Sequence, residues 1–321
     1  MLTVVGAGIS GIACAAAAVE RGVPVRVLDR GRALGGRMAS RTLKDTGTQW
    51  DGRVVDIGAS YFTARDDEFV TLVDRLIARD IVRPWTDAFH VAGPEGVMGV
   101  RKGPMRFSAP RGLRSVVEAM RDDAGLTVNS QVDVAEVSVQ GGLEVDGVST
   151  DAVALCMPGP QAHRICTDVP PSSLLWEPVI AVTMVFEEHW WHELDGAFVN
   201  DHPTITWIAD DGSRRGDDAP VLVAHMAPVA SAMHLDDPMT AIPAVVAATQ
   251  RVLWFTEMPS FVDAHRWTFA KPASAHPEPF WLHSDHPIGV AGDAWADGPR
   301  VESAWLSGTA LGVAMADRLG H

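Results

Sequence analysis

The pattern of apolar and polar positions predicts that the chain begins with a β-α-β unit. Leu2–Val5 is a short apolar run typical of a buried strand, Ser10–Arg21 is an alanine-rich helical segment, and Val23–Leu28 is a second strand. Parallel strands need a crossover connection, and a helix is the usual one. The beginning of the chain is therefore predicted to be α/β, with a parallel sheet.

Further along the chain, helical and strand-like spacing alternate. Helices are predicted at Asp66–Arg79, around Leu113–Met120, and at Pro238–Trp254 and Val301–Leu319. Strands are predicted at Val54–Ile57, as several short strands from Trp85 to Pro110, and at Leu126–Val128, Val132–Val139, Leu143–Val145, Ala152–Leu155, Val179–Phe186, Thr204–Ile208, Val221–Met226, Phe261–Phe269 and Ile288–Ala291. The segment Asp210–Asp218 is predicted to be an exposed, charged loop.

Composition and charge exclude several classes of protein. The 321 residues include 26 Lys and Arg against 41 Asp and Glu, a formal charge of −15. A nucleic-acid-binding protein needs a basic face, and an anionic membrane surface attracts basic segments, so we expect neither partner. Apolar residues make up 47% of the chain, enough for a sizeable core.

Cysteine and tyrosine usage adds two indications. Cys14, Cys156 and Cys166 are scattered, so they predict neither a disulfide framework nor a metal site. No signal peptide is recognisable, and together these features predict a cytoplasmic protein. Tyr61 is the single tyrosine beside 11 tryptophans, which indicates either tryptophan-rich cores or a position where the phenolic hydroxyl is needed.

The glycine-rich motif Gly6–Gly11 joins the first strand to the first helix. Its first glycine permits a tight turn, its second lets a pyrophosphate approach the backbone, and its third lets helix and strand pack closely. The helix N-terminus adds free N–H groups and a positive dipole end, and Asp29 is placed to accept hydrogen bonds from a ribose. The motif predicts a dinucleotide site; the alternative is a glycine-rich turn without a ligand.

The order of the elements predicts how the chain divides into domains. An α/β beginning, a β-rich middle and a βα ending favour a Rossmann-like nucleotide-binding domain assembled from residues 1–80, 110–160 and 265–321. Residues 81–109 and 161–264 are predicted to form an inserted, mainly antiparallel β domain for the substrate.

Later motifs resemble those of the two-dinucleotide-binding flavoproteins, a superfamily that includes the flavin amine oxidases. These motifs are Gly35–Met38, Asp56–Ala59, Gly289–Asp293 and Val301–Trp305. The resemblance implies that Arg37 approaches the FAD pyrophosphate; the alternative for Arg37 is a solvated surface cation. It also implies that Asp293 reaches the ribityl chain; the alternative for Asp293 is a helix or turn cap. The residues assigned to FAD, which is expected to be non-covalent because no cysteine follows Cys166, are Gly6, Gly8, Ile9, Ser10, Gly11, Asp29, Arg30, Gly36, Arg37, Met38, Gly58, Ala59, Ser60, Val132, Gly292, Asp293, Val301 and Glu302.

Longer blocks carry a narrower resemblance. Gly58–Asp66, His265–Pro272 and Glu302–Gly308, with the opening unit, resemble the bacterial renalases over essentially the whole chain. Renalases are FAD oxidases with a p-hydroxybenzoate-hydroxylase-like fold. The resemblance implies oxidation of the 2- and 6-dihydro isomers of NAD(P)H to NAD(P)⁺, with hydride passing to the flavin and O₂ being reduced to H₂O₂.

The same resemblance implies that Tyr61, Trp267 and His225 line the active site. Taken alone, Trp267 is equally expected in a core, and a histidine such as His225 in an apolar strand is more often a core residue. Aromatic walls without a strong acid or base suffice when a dihydropyridine loses hydride, because aromatisation releases no proton. The chain departs from the family after Trp207-Ile208-Ala209, where Asp211 stands in place of the usual Asn. Asp211 either orients the substrate or is solvated in a displaced loop.

The sequence is also compatible with two other functions. One is a flavin amine oxidase acting on a small amine, although Tyr61 cannot by itself form a two-tyrosine cage. The other is a non-catalytic dinucleotide-binding sensor. A dinucleotide substrate requires local cations in so acidic a protein, and the candidates are Arg65, Arg101, Lys102, Arg106, Arg214 and Arg215. The oligomeric state is not indicated.

Overall fold

The chain folds around two large sheets, and the computed structural model describes all residues, 1–321. The strands are β1 (Leu2–Val5), β2 (Val25–Asp29), β3 (Ser40–Thr42), β4 (Val54–Asp56), β5 (Arg83–Gly93), β6 (Gly96–Ser108), β7 (Val128–Ser130), β8 (Val137–Ser138), β9 (Glu144–Val145), β10 (Val148–Ser149), β11 (Ala152–Leu155), β12 (Trp176–Val185), β13 (Gly196–Val199), β14 (Ile205–Asp210), β15 (Val221–Met226), β16 (Phe261–Pro272), β17 (Trp281–Leu282) and β18 (Ile288–Val290). The α-helices are α1 (Ile9–Glu20), α2 (Asp67–Ile77), α3 (Arg114–Asp123), α4 (Gly159–Ile165), α5 (Asp211–Arg215), α6 (Pro228–Ala232), α7 (Ile242–Leu253) and α8 (Val301–Arg318), with 3-10 turns at Gly36–Met38 and Pro238–Ala241.

The first sheet has six strands in the order β17-β18-β11-β1-β2-β7, all parallel except β17. Parallel sheets are covered on both faces, and this one follows that rule. Leu2 and Val4 pack toward α1, α3 and α8, whereas Val5 packs on the opposite face with α4 and the small β8–β10 sheet. The predicted Rossmann-like β-α-β beginning is confirmed.

Helices α1 and α8 pack unusually close, and glycines make this possible. A Cβ atom at Gly308 would lie 2.0 Å from the Ser10 carbonyl oxygen, and one at Gly312 would lie 2.3 Å from that of Cys14. The closing helix therefore lies directly against the first turns of α1, so both ends of the chain support the glycine-rich loop.

The second sheet has seven strands in the order β16-β12-β15-β14-β13-β5-β6, mainly antiparallel. One face is covered by α7 and carries a core that includes Ile180, Val182 and Ala224. The opposite face carries the aromatic side chains described below. The domain boundary predicted at residues 264 and 265 falls inside β16, which continues in this sheet to Pro272.

Several predicted elements differ from the structure. The short strands expected from Trp85 to Pro110 are one long hairpin, β5 and β6. Of the strand predicted at Val132–Val139, only β8 forms. Three elements were not predicted, β13, α4 and α6, because they are too short to show a clear period.

The first half of the segment predicted as an exposed loop, Asp210–Asp218, is instead buried: Asp210 ends β14, and Asp211–Arg215 form helix α5, whose charged residues are buried. Residues 216–218 are exposed, as predicted. Charged composition alone does not predict exposure here, because ion pairs with other parts of the chain allow the charged residues of α5 to be buried. None of the helices combines the length and the apolar character needed to cross a bilayer.

Candidate cofactor and active site

The glycine-rich loop has the shape that a dinucleotide site requires. Gly6 has φ +104°, and a Cβ atom there would lie 2.5 Å from the Cys156 carbonyl oxygen, so only glycine fits. At Gly11 a Cβ atom would collide with the Gly6 carbonyl oxygen at 1.8 Å. At Gly8, in contrast, the nearest protein atom is the Gly36 Cα, 3.8 Å from the Cβ position. The first and third glycines therefore serve packing, and the second leaves an open side.

The first turn of α1 offers polar groups beside this open side. Ser10 is 5% exposed, and its Oγ atom has no hydrogen-bond partner within the chain. The first N–H groups of a helix also lack intrahelical partners. An unpaired buried hydroxyl costs free energy, so its presence here favours a ligand that pairs with it.

The Asp29 carboxylate holds the loop and faces the predicted adenosine end. Its two oxygens accept hydrogen bonds from the N–H groups of Ala7 and Gly31, both at 2.6 Å. Each oxygen keeps a lone pair that a ribose hydroxyl can use. Arg30 beside it is exposed. Val132 lies in an irregular segment rather than in the predicted strand, and its N–H donates to the Asp29 carbonyl at 2.9 Å.

Arg37 and Asp293, 256 positions apart, form a two-pronged ion pair. The Arg37 guanidinium donates to the two carboxylate oxygens of Asp293 at 2.8 and 2.6 Å and to the Ala270 carbonyl at 3.0 Å. It also lies 5.5 Å from the centre of a Trp176 ring. Because the two residues pair with each other, Arg37 is not a free surface cation and Asp293 does not act as a helix or turn cap. The pair joins the Gly36–Met38 turn to the C-terminal part of the chain and to β16.

Glu302 orders the backbone after Tyr61. Its buried carboxylate accepts hydrogen bonds from the N–H groups of Arg65 and Asp66, at 2.5 and 2.8 Å. Val301 beside it is half-buried at the start of α8. Gly292 donates to the Ser307 hydroxyl at 3.0 Å, and a Cβ atom at Gly292 would meet no protein atom within 4 Å. This end of the site therefore has an open side as well.

The segment Asp56–Tyr61 crosses between the two sheets and orients two tryptophans. The Trp267 indole donates to the Ile57 carbonyl at 2.6 Å. The Trp207 indole donates to the Ser60 hydroxyl at 2.9 Å. A Cβ atom at Gly58 would lie 2.0 Å from the carbonyl oxygen of Arg37, so this segment passes directly over the Gly-Gly-Arg turn.

Strand register places His225 between these tryptophans. His225 of β15 is opposite Trp207 of β14 and opposite Ala181 of β12, which in turn is opposite His265 of β16. Residues directly opposite one another share a face of the sheet, and Trp267 shares it too because it lies two residues from His265. The rings of His265 and Trp267 are 4.6 Å apart. We call this face the aromatic row: it carries Trp207, His225, His265 and Trp267, with Ala181 between the two histidines.

The imidazole of His225 is neutral at pH 7. Burial and, to a smaller extent, the positive charges of Arg214 and Lys271 together lower its pKa to about 4. Its Nε2 atom is buried without a partner. A neutral imidazole whose nitrogen has no internal partner can pair with a polar group of a bound ring without adding charge.

Tyr61 belongs to a cluster of rings at the end of this row. Its ring centre lies 5.1 Å from Phe89, 5.7 Å from Trp207 and 6.4 Å from Trp85. Burial raises the pKa of the Tyr61 phenol, and the Arg106 charge opposes this only in part. The phenol therefore stays protonated at neutral pH. Its hydroxyl makes no hydrogen bond within the chain.

The structure corrects the expectation that Asp211 orients the substrate. Its carboxylate is 0% exposed and pairs with Arg53 at 2.9 Å, with Arg215 at 2.9 Å and with Arg214. Burial opposes ionisation, but Arg215, Arg214 and Arg53 outweigh it and hold the pKa of Asp211 well below its ordinary value. Asp211 is neither a substrate contact nor a solvated loop residue.

Arg214 and Arg215 are likewise corrected as candidates for substrate phosphates. Arg214 is 0% exposed and donates to the Ser60 carbonyl at 3.2 Å. Arg215 donates to the Asp56 carboxylate at 3.1 Å. Both guanidinium groups are used inside the protein, where they connect α5 to the segment Asp56–Tyr61.

Sequence reasoning missed Trp207 and His265 as parts of this face. Both stood inside blocks that carried the family resemblance, Trp207-Ile208-Ala209 and His265–Pro272, so a signal was present. The signal for Arg53 was absent, because its partners Asp211 and Asp217 are more than 150 positions away.

Comparisons with known proteins agree with this architecture. Residues 4–76 match the model of a family described as NAD(P)-binding Rossmann-like domain. A putative protoporphyrinogen oxidase from Exiguobacterium sp. 255-15 superposes with a TM-score of 0.78 at 16% identity, covering 99% of this chain and 98% of that one. A variant of putrescine oxidase gives 0.76 at 16% identity with the same coverage.

Cyclohexylamine oxidase from Brevibacterium oxydans gives a TM-score of 0.74 at 13% identity, covering 100% of this chain and 99% of that one. At these identities the likeness shows the fold alone. The protein is therefore an α/β protein with a Rossmann-like dinucleotide-binding domain and a second, mixed sheet, and it shares this fold along its whole length with several oxidases.

Proposed function

We propose that the protein is an oxidoreductase that binds FAD non-covalently. The residues of the site fit the group: Ser10 leaves a buried hydroxyl unpaired, and Gly8, beside Gly36, and Gly292, beside Asp293, leave open sides. Cys14, Cys156 and Cys166 are buried, so none offers an accessible thiol for a covalent link. Asp29 would hold the ribose of FAD. The first turn of α1 and the Gly-Gly-Arg turn would hold the pyrophosphate, and Gly58-Ala59 would lie beside the flavin.

We further propose that the substrate is a 2- or 6-dihydro isomer of NAD(P)H. The supporting observation is the aromatic row, which carries Trp267, His225 and Trp207 and ends at Tyr61. It combines indole rings with the neutral imidazole of His225 and has no strong acid or base. Dihydropyridine oxidation needs no base, because aromatisation follows from loss of hydride alone. FAD, when bound, supplies the acceptor for that hydride and returns the two electrons to O₂. The balance is dihydro-NAD(P) plus O₂ and H⁺ giving NAD(P)⁺ and H₂O₂.

The protein's own side chains would bind and orient the substrate. Trp267 and Trp207, each held by a hydrogen bond from its indole N–H, restrict the position of a flat ring. The unpaired Nε2 atom of His225 is available to the carboxamide of a nicotinamide ring. The seven-stranded sheet would then be the substrate domain, with its boundary after Pro272.

Anaerobic mixing with borohydride-reduced NAD⁺, which contains the 2-, 4- and 6-dihydro isomers, tests this function. We expect rapid bleaching of the flavin by the 2- or 6-isomers, little bleaching by ordinary NADH, and H₂O₂ when air is readmitted. A colourless protein that gains no visible absorbance with added FAD would reject both the cofactor and the reaction.

A flavin amine oxidase is the second candidate, and the structural likeness to putrescine oxidase and cyclohexylamine oxidase favours it. An amine donor must be held as the free base, and the aromatic row is compatible with that. Bleaching by putrescine or cyclohexylamine, with the dihydronicotinamide isomers inert, would establish this alternative in place of the first.

A further inference from the structure

A cavity of about 220 Å³ lies on the outer side of the Tyr61 cluster, and its lining is strongly cationic. It is lined by Phe89, Val91, Arg101, Lys102, Arg106, Phe198 and Asn200. No carboxylate lines it. In a chain with a formal charge of −15, three neighbouring cations in one concave surface create a local field opposite to that of the whole molecule.

The cations of this cavity are largely free of internal partners. Arg106 is 8% exposed and its NH1 atom is buried without a hydrogen-bond partner. Neither Arg106 nor Arg101 has a carboxylate within ion-pair distance, and Lys102 reaches only Asp87, at 3.8 Å, while 83% exposed. A buried guanidinium without an acceptor is costly, so this arrangement favours an anionic ligand.

Aromatic rings connect the cavity to the candidate active site. The Arg106 guanidinium lies 4.3 Å from the centre of the Phe89 ring. Phe89 in turn lies 5.1 Å from Tyr61 and 4.8 Å from Trp207, and Phe198 lies 4.9 Å from Trp207. A ligand seated on these cations is therefore one layer of rings away from the face that carries His225.

We propose that this cavity, named the Arg101–Arg106 pocket, binds the phosphate groups of the substrate. The proposal rests on the proposed function, because a dinucleotide is long enough to place its nicotinamide on the aromatic row and its phosphates beyond Tyr61. The ligand that the pocket would recognise is a phosphate or pyrophosphate joined to an uncharged sugar and ring. Phe89 and Phe198 provide the apolar floor, and the guanidinium groups pair with phosphate oxygens in two-pronged fashion.

The test compares substrates with and without phosphate. The 2- and 6-dihydro isomers of NADH are compared with the matching N-alkyl dihydronicotinamides, which lack phosphate, in Arg106→Gln, Arg101→Gln and Lys102→Gln. We expect kcat/KM for the dinucleotide to fall about tenfold more than that for the N-alkyl analogue, mainly through KM, as expected for loss of a charge-assisted contact. Arg75→Gln, which removes an exposed charge on α2, is the matched control.

Direct binding separates the failure of this proposal from failure of the reaction. Quenching of tryptophan fluorescence in the holoprotein is titrated with NAD⁺ and with inorganic pyrophosphate at two salt concentrations. We expect the Kd for both to rise about tenfold in Arg106→Gln and to rise with salt in the wild type. Because Arg106 is buried, the exposed Lys102→Gln variant gives the same comparison if Arg106→Gln does not fold.

Each result has one meaning. Pyrophosphate binding that depends on these cations, without oxidation of any dihydronicotinamide, would retain the pocket and reject the reaction. Oxidation of the isomers with equal losses of kcat/KM for the dinucleotide and the N-alkyl analogue would reject the pocket and retain the reaction. A Kd for NAD⁺ and pyrophosphate that is unchanged in the variants would likewise reject the pocket.

Discussion

Trp207 and Trp267 show how two single hydrogen bonds shape the candidate site at the scale of residues. Each indole donates to the segment Asp56–Tyr61, to the Ser60 hydroxyl and to the Ile57 carbonyl respectively. An indole whose N–H is paired keeps its ring in one orientation, and a buried indole N–H without a partner would be costly. The aromatic row is therefore a defined wall rather than a loosely packed core.

Tyr61 is the first residue to vary. Because its hydroxyl makes no internal hydrogen bond and its ring packs against Phe89 and Trp207, we expect the ring rather than the hydroxyl to carry its role. In Tyr61→Phe the rate of flavin reduction by the substrate should stay within about threefold of the wild-type rate. In Tyr61→Ala this rate should fall by about 10- to 100-fold, because the ring no longer positions the substrate. Stopped-flow absorbance under anaerobic conditions measures both rates. Equal losses in the two variants would show that the hydroxyl is required.

His225 gives a prediction about pH. Its pKa is about 4 in the folded protein against an ordinary 6.5. Between these values the unfolded chain binds a proton that the native protein does not, so the free energy of unfolding falls as pH drops from about 6.5 to about 4. In His225→Gln this contribution is absent, and we expect a shallower dependence in urea unfolding at pH 7 and pH 5.

His321→Gln, at the exposed end of the chain, is the control for this measurement. A slope in His225→Gln that equals the wild-type slope would contradict the assignment of a neutral, buried imidazole. The activity should meanwhile show no ionisation of His225 between pH 6 and 8.

At the scale of elements, α5 is held by charge rather than by apolar contacts. Its five residues include Asp211, Arg214 and Arg215, all buried, and their partners outside the helix are Arg53, which precedes β4, and Asp56 of β4. Buried ions are costly unless they are paired, so the segment is stable in this place only because every guanidinium faces a carboxylate. The helix thereby becomes a rigid support behind Ser60 and Tyr61.

Asp211→Asn should therefore be strongly destabilising. Removing its charge leaves three buried guanidinium groups short of a partner, a loss of about 3–5 kcal/mol in the free energy of unfolding. Asp123→Asn, which breaks the exposed pair with Arg79, should cost less than about 1 kcal/mol. Urea unfolding monitored by tryptophan fluorescence gives both values.

The pH dependence of this difference has a definite sign. The pKa of Asp211 is lowered in the folded protein, so its stabilisation is fully present above the ordinary Asp pKa of about 3.9 and is lost as pH falls through the lower folded pKa. The gap between wild type and Asp211→Asn should hold from pH 7 to 5 and close only in strong acid. A gap that closes near pH 6 would contradict the buried cluster.

At the scale of the whole molecule, the two sheets meet along a line of long-range contacts. Arg37 joins the N-terminal turn to Asp293 near the C-terminus and to Ala270 on the second sheet. The ends of the chain also pack directly, through α1 and α8. The proposed cofactor residues thus come from both ends of the chain, and the aromatic row comes from its middle.

Arg37→Gln should weaken FAD retention. The substitution removes the ion pair that aligns the Gly-Gly-Arg turn with Asp293, so we expect the Kd for FAD to rise about tenfold, as for loss of a two-pronged charged contact. Arg41→Gln, which breaks the exposed pair with Asp263, is the matched control and should retain its flavin. Equal flavin content in wild type and Arg37→Gln after gel filtration would contradict this placement of the cofactor.

The sequence alone determined the opening unit and the glycine-rich turn, because both are local. A strand, three glycines, a helix and an acidic residue specify their own geometry within about thirty residues. The β5–β6 hairpin was harder, since its residues do not alternate cleanly along 26 positions. Short elements such as β13 and α6 have too few residues to show a period.

Only the tertiary structure decided which charges are buried and which side chains meet. Asp210–Asp218 has the composition of an exposed loop, yet its first half forms a buried cluster with Arg53, which is 158 positions from Asp211. Arg37 pairs with Asp293 across 256 positions, and His225 stands in the aromatic row through strand register alone. The chemical type of a side chain determines what kind of partner it requires when buried, whereas the fold determines where that partner lies.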